Sequence, residues 1–358
     1  MSTAAPRALV IAEIGVNHDG DAKRAAALVD AAADAGADAV KFQTFRAESL
    51  ASNTAPRAAY QKKNVGAGSQ VDMLRALELP RPAFVALARQ CAARKFEFMS
   101  TAFDEDSLAF LVRETGIRRI KIGSGDVTHA PLLLAAAGHR LPLLVSTGMC
   151  TLEDIEEALG VIAFGIGGAG QPGREAFRRA YQAGREALRG RVTLLHCVTE
   201  YPAPAESINL RAMDTLAKTF ALPVGYSDHT LGIGVAIAAA ARGATVIEKH
   251  LTLDRKAPGP DHAASLEPGD FATMVRGIRD AERGLGEDAK RPSAVEMDNR
   301  AAARRSLVAA RAIRRGEAFS AENLVVKRPG TGAAPIGYWE RLGRPAERDY
   351  RAEETIDP

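Results

Sequence analysis

Eight short apolar runs, most rich in β-branched side chains, recur along the first part of the chain, at 9–14, 39–42, 96–99, 117–122, 141–145, 192–195, 222–224 and 244–247. Runs of this length read as buried strands. Between most of them the apolar positions change to helical spacing with recognisable ends. Asp21 can cap a helix over 22–35 that stops at Gly36, and a second pattern over 104–113 stops near Gly116. Thr151, followed by Leu-Glu-Asp, opens 151–162 as an acidic version of the capping box. Strand, helix, strand is the βαβ unit, which requires parallel strands. Eight such strands alternating with helices over about 250 residues fit a (β/α)₈ TIM barrel in size and order. A doubly wound open sheet is the rival, but it needs a Gly-rich phosphate turn after the first strand. The turn found there, Gly15-Val-Asn-His-Asp-Gly20, lacks that fingerprint.

Two stretches interrupt the alternation. Residues 46–79 are long and polar, and a loop of this length in a barrel usually covers a site. Residues 164–191, with Gly165, Gly167, Gly168 and Gly170 ahead of an Arg/Ala-rich helix, read as an insertion that decorates the helical shell. The character changes after Leu285. Residues 1–285 form the barrel domain, 286–305 read as a linker that includes a charged helix-like segment, and 306–358 form a second, small domain with strand-like runs at 307–310 and 324–326. A domain of that size needs docking for full stability.

Composition adds little and excludes more. The 358 residues are 46% hydrophobic and 25% charged, with a net charge of +3, as in an ordinary globular protein. No basic block or basic–aromatic interleaving points to nucleic acid. No secretory signal is visible at the start, and no run approaches the ~18 apolar residues of a membrane span. Cys91, Cys150 and Cys197 are scattered without metal-type spacing, which fits reduced thiols and a cytoplasmic location.

The chemistry concentrates where the strands end. Polar residues at the C-terminal ends of barrel strands read as catalytic. In order they are Glu13 with Asn17 and His18, Lys41 with Gln43 and Thr44, Ser100 with Thr101 and Phe103, Lys121 with Ser124 and Asp126, and Ser146 with Thr147. His196 with Thr199 and Tyr201, Ser227 with Asp228 and His229, and Glu248 with His250 complete the set. Lys41 and Lys121, together with the Ser-Gly turns at 124–125 and 146–148, make an anion cradle suited to a phosphate. Such a cradle is displaced from the usual barrel phosphate site after strands seven and eight. A Schiff-base aldolase would need one desolvated amine, and two lysines facing one anion suit electrostatic duty better. His229 and His250, on neighbouring parallel strands, can share one divalent ion, with Glu13, Asp228 and Glu248 as carboxylates able to ligate or support. The alternative is a pair of core histidines satisfied by hydrogen bonds, since a catalytic zinc usually takes three protein ligands. His196 reads as packed and His18 as a turn residue.

At this point the sequence resembles the sialic acid synthase family. The resemblance covers nearly the whole chain and rests on Ala12-Glu-Ile-Gly-Val-Asn-His18, Val40-Lys-Phe-Gln-Thr44, Ser100-Thr-Ala-Phe103, Lys121-Ile-Gly-Ser-Gly125 and Ser146-Thr-Gly-Met149. Leu195-His-Cys197 with Glu200-Tyr-Pro202, Gly225-Tyr-Ser-Asp-His-Thr230, Glu248-Lys-His250, Pro258-Gly-Pro-Asp261 and Val326-Lys-Arg-Pro-Gly330 extend it. It implies a (β/α)₈ barrel followed by a small antifreeze-like (SAF) domain, in a homodimer whose small domain reaches over the partner's barrel. It further implies that His229 and His250 hold Mn²⁺ or Mg²⁺ and that Lys41, Thr101, Lys121, Ser124, Ser146 and Ser227 hold phosphoenolpyruvate. Gln43, Phe103, Asp126, Tyr201 and Asp261 would face an amino sugar, Arg328 would arrive from the other subunit, and Glu13 would serve the attacking water. Asp126 stands where many members carry Glu, and the 164–191 insertion is longer than usual with no functional counterpart.

The implied reaction condenses phosphoenolpyruvate with an N-acetylmannosamine-type acceptor and water to give a nonulosonic acid and phosphate by C–O cleavage. The alternative acceptor is a 2,4-diacetamido-2,4,6-trideoxyhexose, giving legionaminic or, less in keeping with Glu200-Tyr-Pro-Ala-Pro204 and Tyr226, pseudaminic acid. Two readings from other classes stand further off. A metal-dependent barrel hydrolase would want His-X-His at the first strand end, where Glu13 sits; a non-catalytic sugar-binding protein would have no use for lysines and a histidine pair at one mouth.

Overall fold

The computed structural model describes residues 7–66 and 68–358. The opening residues 1–6, where an export signal would begin, and Ala67 of the long polar segment lie outside the described residues. Two compact units result, one ending at Gly286 and one spanning Glu287–Pro358.

The first unit is a closed barrel of eight parallel strands: β1 Leu9–Gly15, β2 Ala39–Thr44, β3 Glu97–Ala102, β4 Ile120–Ile122, β5 Leu143–Ser146, β6 Val192–Cys197, β7 Val224–Asp228 and β8 Val246–His250, with β8 pairing back to β1. Strand side chains alternate between two faces, and the sequence uses the two differently. One set, including Val10, Ala12, Val40, Phe42, Ile120, Val145, Leu194 and Ile247, packs in the large core shared with the helices. The other set points into the barrel and forms a separate small apolar layer of Ile11, Ala39, Met99, Leu144, Leu195 and Val246. One step further along each strand the same inward face becomes polar, with Glu13, Lys41, Thr101, Ser146, Ser227 and Glu248. The barrel is therefore plugged with hydrocarbon at its base and lined with charge at its mouth. Gly225 shows how tight the plug is, because a Cβ there would come within 2.6 Å of the Val246 carbonyl.

The helices end as their polar residues dictate. Asp21 accepts the Lys23 N–H at 2.7 Å to cap Ala22–Asp34, and Thr151 and Asp154 cap each other at the start of Leu152–Gly167. Helix Glu105–Phe110 continues into a π-helical turn, Leu111–Thr115, and stops at Gly116 in the left-handed region. The insertion at 164–191 completes the preceding helix and adds a second, Arg174–Leu188, folded against it. They pack tightly at Gly160, where a Cβ would lie 2.9 Å from the Phe177 carbonyl.

Residues 46–79 contain three short helices, Ala47–Leu50, Ala59–Val65 and Gln70–Ala76. They carry an apolar cluster of their own, in which Phe45, Val71, Met73, Leu74 and Leu77 pack with Val16 from the turn after β1.

In the second unit β9 Ser306–Ala309 pairs antiparallel with β10 Leu324–Lys327 over a core of Leu307, Ile313, Phe319, Leu324, Tyr350 and Ile356. The 286–305 segment is not a plain linker. Ser293 and Glu296 form a capping box that starts helix Ala294–Ala303, and from Glu287 onward it belongs to the compact second unit. Among the described residues no helix is long and apolar enough to cross a membrane.

Candidate active site

Glu13, Lys41, Gln43, Thr101, Phe103, Lys121, Ser124, Ser146, Tyr201, Ser227, His229, His250 and Asp261 all line one cavity at the polar mouth of the barrel. Strand parity brings them there. Lys41 and Gln43 are two apart on β2, Ser227 on β7 precedes His229, just past its end, by two, and Glu248 and His250 are two apart on β8, so each pair shares the inward face. Gly15 lets the first strand end beside them: it has φ +55, the pairing with β2 shifts between Glu13 and Gly15, and a Cβ would meet the Glu13 carboxylate and the His250 ring.

The floor of the cavity is a buried ring of charge. Lys41 Nζ lies 2.7 Å from Oε2 of Glu13, 3.7 Å from Oε1 of Glu248 and 3.1 Å from the Thr101 hydroxyl. Lys121 Nζ lies 3.6 Å from the same Glu248 oxygen and donates to the Ser146 hydroxyl at 2.8 Å. Ser227 donates to Glu248 Oε1 at 3.0 Å. Burial sets the protonation of this ring. It pushes the Glu13 carboxyl up to about 7, against the pull of Lys41. Burial also raises Glu248, but the Lys121 and Lys41 ammoniums outweigh it and hold that carboxylate below its usual range. Burial depresses both ammoniums; Glu13 and Glu248 carry Lys41 back above its ordinary value, while Lys121 stays depressed. Ser124 Oγ, 3.1 Å from Cys197 Sγ, accepts the Gly148 N–H at 2.9 Å. Gly148 admits no side chain, because a Cβ would sit 2.4 Å from the Thr199 hydroxyl.

Above this floor stand the histidines. The His229 and His250 ring centroids are 5.6 Å apart, with the Tyr201 ring 4.2 Å from the first and 5.6 Å from the second. His229 Nδ1 lies 2.6 Å from the Val198 carbonyl, which can only accept, so Nδ1 carries the hydrogen and a neutral ring keeps its lone pair on Nε2. Burial lowers His229 to about 4 and His250 well below its ordinary value, so both rings are neutral. His250 Nδ1 is buried without a hydrogen-bond partner among the described residues, 3.9 Å from Oδ2 of Asp261. Burial raises the Asp261 carboxyl to about 7. Two neutral imidazoles with lone pairs at a polar mouth fit a divalent cation that takes its remaining ligands from substrate and water. No group of three or more His, Cys, Asp or Glu side chains clusters as a metal set among the described residues.

Other sequence candidates fall outside the cavity. Asp228 points the opposite way from Ser227 and His229: it accepts Lys249 Nζ at 2.8 Å, the Tyr226 hydroxyl and both Thr230 donors, which removes it as a ligand. His196 is held at 2.6 Å by the Ile208 carbonyl, and His18 accepts the Gly20 N–H in its turn and packs on Phe42. Asn17 braces Leu251 and Ser265. Asp126 sits in the turn Ser124–Asp126 just past the lining, with Oδ2 buried and without a hydrogen-bond partner among the described residues. Arg328 is exposed in the second unit directly after β10.

Sequence reasoning misses three things. Cys197, which the sequence shows only as a scattered thiol, lines the cavity. His262 bridges the Thr252 hydroxyl at 2.7 Å and Asp19 at 3.1 Å, which pins the turn carrying Asp261. Met73, Leu74 and Leu77 form a wall of the cavity; their helical spacing after the Ser69 cap marks a packed helix face but not the cavity.

Several known proteins that resemble this chain point to one family. Residues 28–290 match the NeuB family and residues 304–358 match the SAF domain. An N,N'-diacetyllegionaminic acid synthase of Legionella pneumophila is 46% identical over 348 residues, covering 97% of this chain and 92% of that protein. The protein of the same name from Campylobacter jejuni is 42% identical over 351 residues, covering 98% and 99%. The crystal structure of an N-acetylneuraminic acid (sialic acid) synthetase from Leptospira borgpetersenii matches with a TM-score of 0.67 at 31% identity, over 82% of this chain and 90% of that one. With its barrel, its SAF domain and these relatives, the chain belongs to the NeuB, or sialic acid synthase, family of enzymes.

Proposed function

We propose that this protein is a nonulosonic acid synthase that joins phosphoenolpyruvate to an open-chain 2-acetamido sugar, adds water and releases phosphate. The observation that carries this reading is the pair of buried lysines around Glu248, with serine and threonine hydroxyls, directly beneath two neutral histidines. Phosphoenolpyruvate brings a carboxylate and a phosphate into a site whose donors are already in place. Lys41, Lys121, Thr101, Ser124, Ser146 and Ser227 bind and orient it, which fixes its nucleophilic carbon toward the mouth. The electron pair of the enol double bond forms the new carbon–carbon bond to the sugar aldehyde, whose oxygen takes up a proton. Water then adds at C2, and Glu13, held near neutrality by burial, accepts its proton. The C2–O bond breaks, phosphate leaves, and a 2-keto acid remains. Mn²⁺ or Mg²⁺ held by His229 and His250 would supply Lewis-acid polarisation of the aldehyde when bound.

For the acceptor, the similarity to two diacetyllegionaminic acid synthases supports a 2,4-diacetamido-2,4,6-trideoxyhexose. N-Acetylmannosamine is the second reading, supported by the likeness to the L. borgpetersenii synthetase. Gln43, Phe103, Tyr201 and Asp261, which line the same cavity, are the residues we assign to this substrate. The proposal extends, by family resemblance, to Asp126 as a further sugar contact and to a cytoplasmic homodimer in which the partner's Arg328 meets the N-acetyl group.

Incubation with phosphoenolpyruvate, Mn²⁺ and each acceptor, read by phosphate release and product mass, tests the reading. Acceptor-dependent phosphate with an equal amount of nonulosonic acid is expected. Phosphate release that ignores the acceptor would instead mark a hydrolase.

A further inference from the structure

We propose that the wall formed by Val16, Met73, Leu74, Leu77 and Phe103 selects the acceptor by its methyl groups, so that the preferred sugar presents a methyl group at C6, and the methyl tip of an acetamido group at C4, where N-acetylmannosamine carries hydroxyls. This rests on the proposed synthase function and deepens it. The cavity is strongly asymmetric. Its floor and the β5–β8 side offer cations, carboxylates, hydroxyls and imidazoles, whereas the side under the 46–79 segment is hydrocarbon apart from Gln61. The anion cradle occupies the floor, so the acceptor sits between the cradle and the exit, against this wall. Val16, Met73, Leu74 and Leu77 are each buried and belong to one apolar cluster, against which Phe103 packs. Phe103 is also fixed edge-on to Phe45 at 5.9 Å. Gln61 lines the cavity beside them, with Oε1 accepting the Ala58 N–H at 2.9 Å.

The wall is built in place. The Arg57 guanidinium donates to the carbonyls of Ser69, Val65 and Gly66 and so ties the short helices together. Glu78 accepts the Ala47 N–H at 2.6 Å and closes the base of the segment. Asn64 donates to the Pro260 carbonyl at 2.7 Å, joining the segment to the turn that carries Asp261. Gly20 lies so close to the end of the last short helix that a Cβ would reach the Ala76 carbonyl at 2.6 Å. A fixed apolar surface cannot turn to satisfy a hydroxyl, and a sugar hydroxyl pressed against it loses its water without replacement.

The chemistry of the acceptors differs where this matters. N-Acetylmannosamine carries hydroxyls at C4 and C6. A 2,4-diacetamido-2,4,6-trideoxyhexose carries an acetamido methyl at C4 and a plain methyl at C6. Hydrophobic discrimination of this kind is worth roughly 10–200-fold in kcat/KM per group. The wild-type enzyme is therefore expected to favour the deoxy diacetamido sugar over N-acetylmannosamine by at least about tenfold. Leu74→Asn, and independently Met73→Gln, should each lower that ratio about tenfold, mainly by slowing the deoxy sugar. The rise in melting temperature on adding phosphoenolpyruvate, measured on each variant, reports that the barrel and its anion site are intact. A wild-type ratio at or below one, or an unchanged ratio in a variant that still binds phosphoenolpyruvate, overturns the inference about the wall. Failure to form any ketoacid from phosphoenolpyruvate with either sugar would overturn the proposed function itself, which separates the two.

Discussion

Lys41 and Glu13 form an ion pair of 2.7 Å inside the barrel mouth, with 3% and 2% of their side chains exposed. A pair this dry is costly to break from one side, because the remaining charge is left without water. Glu13→Gln keeps the shape and leaves Lys41 beside Glu248. It is expected to lower kcat roughly 10²–10⁴-fold while phosphoenolpyruvate still binds. Lys41→Met removes the cation between two carboxylates and should abolish phosphoenolpyruvate binding as well. Steady-state kinetics and ligand-induced shifts in melting temperature separate the two variants; equal loss of binding in both would contradict a proton-accepting role for Glu13 and an anchoring role for Lys41.

The histidine pair makes a separate prediction that does not depend on turnover. Mn²⁺ titrated into chelator-treated wild-type protein should bind one equivalent, followed calorimetrically or by electron paramagnetic resonance. His229→Ala and His250→Ala should each lose that binding. A full equivalent retained by His250→Ala, or full activity in excess chelator, would remove the metal from the mechanism.

Asp126 ties stability to pH. Burial raises its carboxyl from 3.8 to about 6, against the pull of His129 and Lys121. Between those values the folded protein keeps a proton that the unfolded chain releases, so Asp126 costs stability as pH rises from about 4 to about 6 and the cost is constant above that. Asp126→Asn should match wild type near pH 4 and exceed it by about 1–3 kcal/mol at pH 8. Denaturant melts at the two pH values measure this; a variant less stable than wild type at pH 8 would show that the charged carboxylate has a partner.

On the outer face of the barrel, Lys249 and Asp228 are both fully buried and 2.8 Å apart. Lys249→Met leaves the Asp228 carboxylate against Tyr226 and Thr230 with no cation. A loss of about 3–5 kcal/mol in unfolding free energy is expected from such a half-broken pair. A change below about 1 kcal/mol would place the pair among those that contribute little.

Much of this arrangement is legible in the sequence because barrel strands carry their chemistry at one end. The limits of that reading are physical. Apolarity alone bounds the runs at 222–224 and 244–247, whereas β7 and β8 run on through Ser227, Asp228, Glu248 and His250. Glu248 faces the shared ionic floor and Asp228 a buried lysine, so both remain in the strand although their polarity reads as loop. Asp228 is a candidate ligand only while parity is ignored; once β7 includes it, it faces outward. Met73, Leu74 and Leu77 are hidden for the opposite reason: their apolar spacing reads as packing, and only the fold reveals that one edge of the packing is a cavity wall. The helix at Ala294–Ala303 falls where the sequence shows a charged helix-like segment, and its capping box sets its start.

The proposed condensation breaks a carbon–oxygen bond of phosphoenolpyruvate, and isotopic labelling tests that most directly. With phosphoenolpyruvate, acceptor sugar and Mn²⁺ in H₂¹⁸O, and rapid quenching, mass spectrometry should find the label in the nonulosonic acid and none in the released phosphate. Phosphate carrying one ¹⁸O, beside an unlabelled ketoacid or none, would mean attack at phosphorus and would contradict the proposed chemistry.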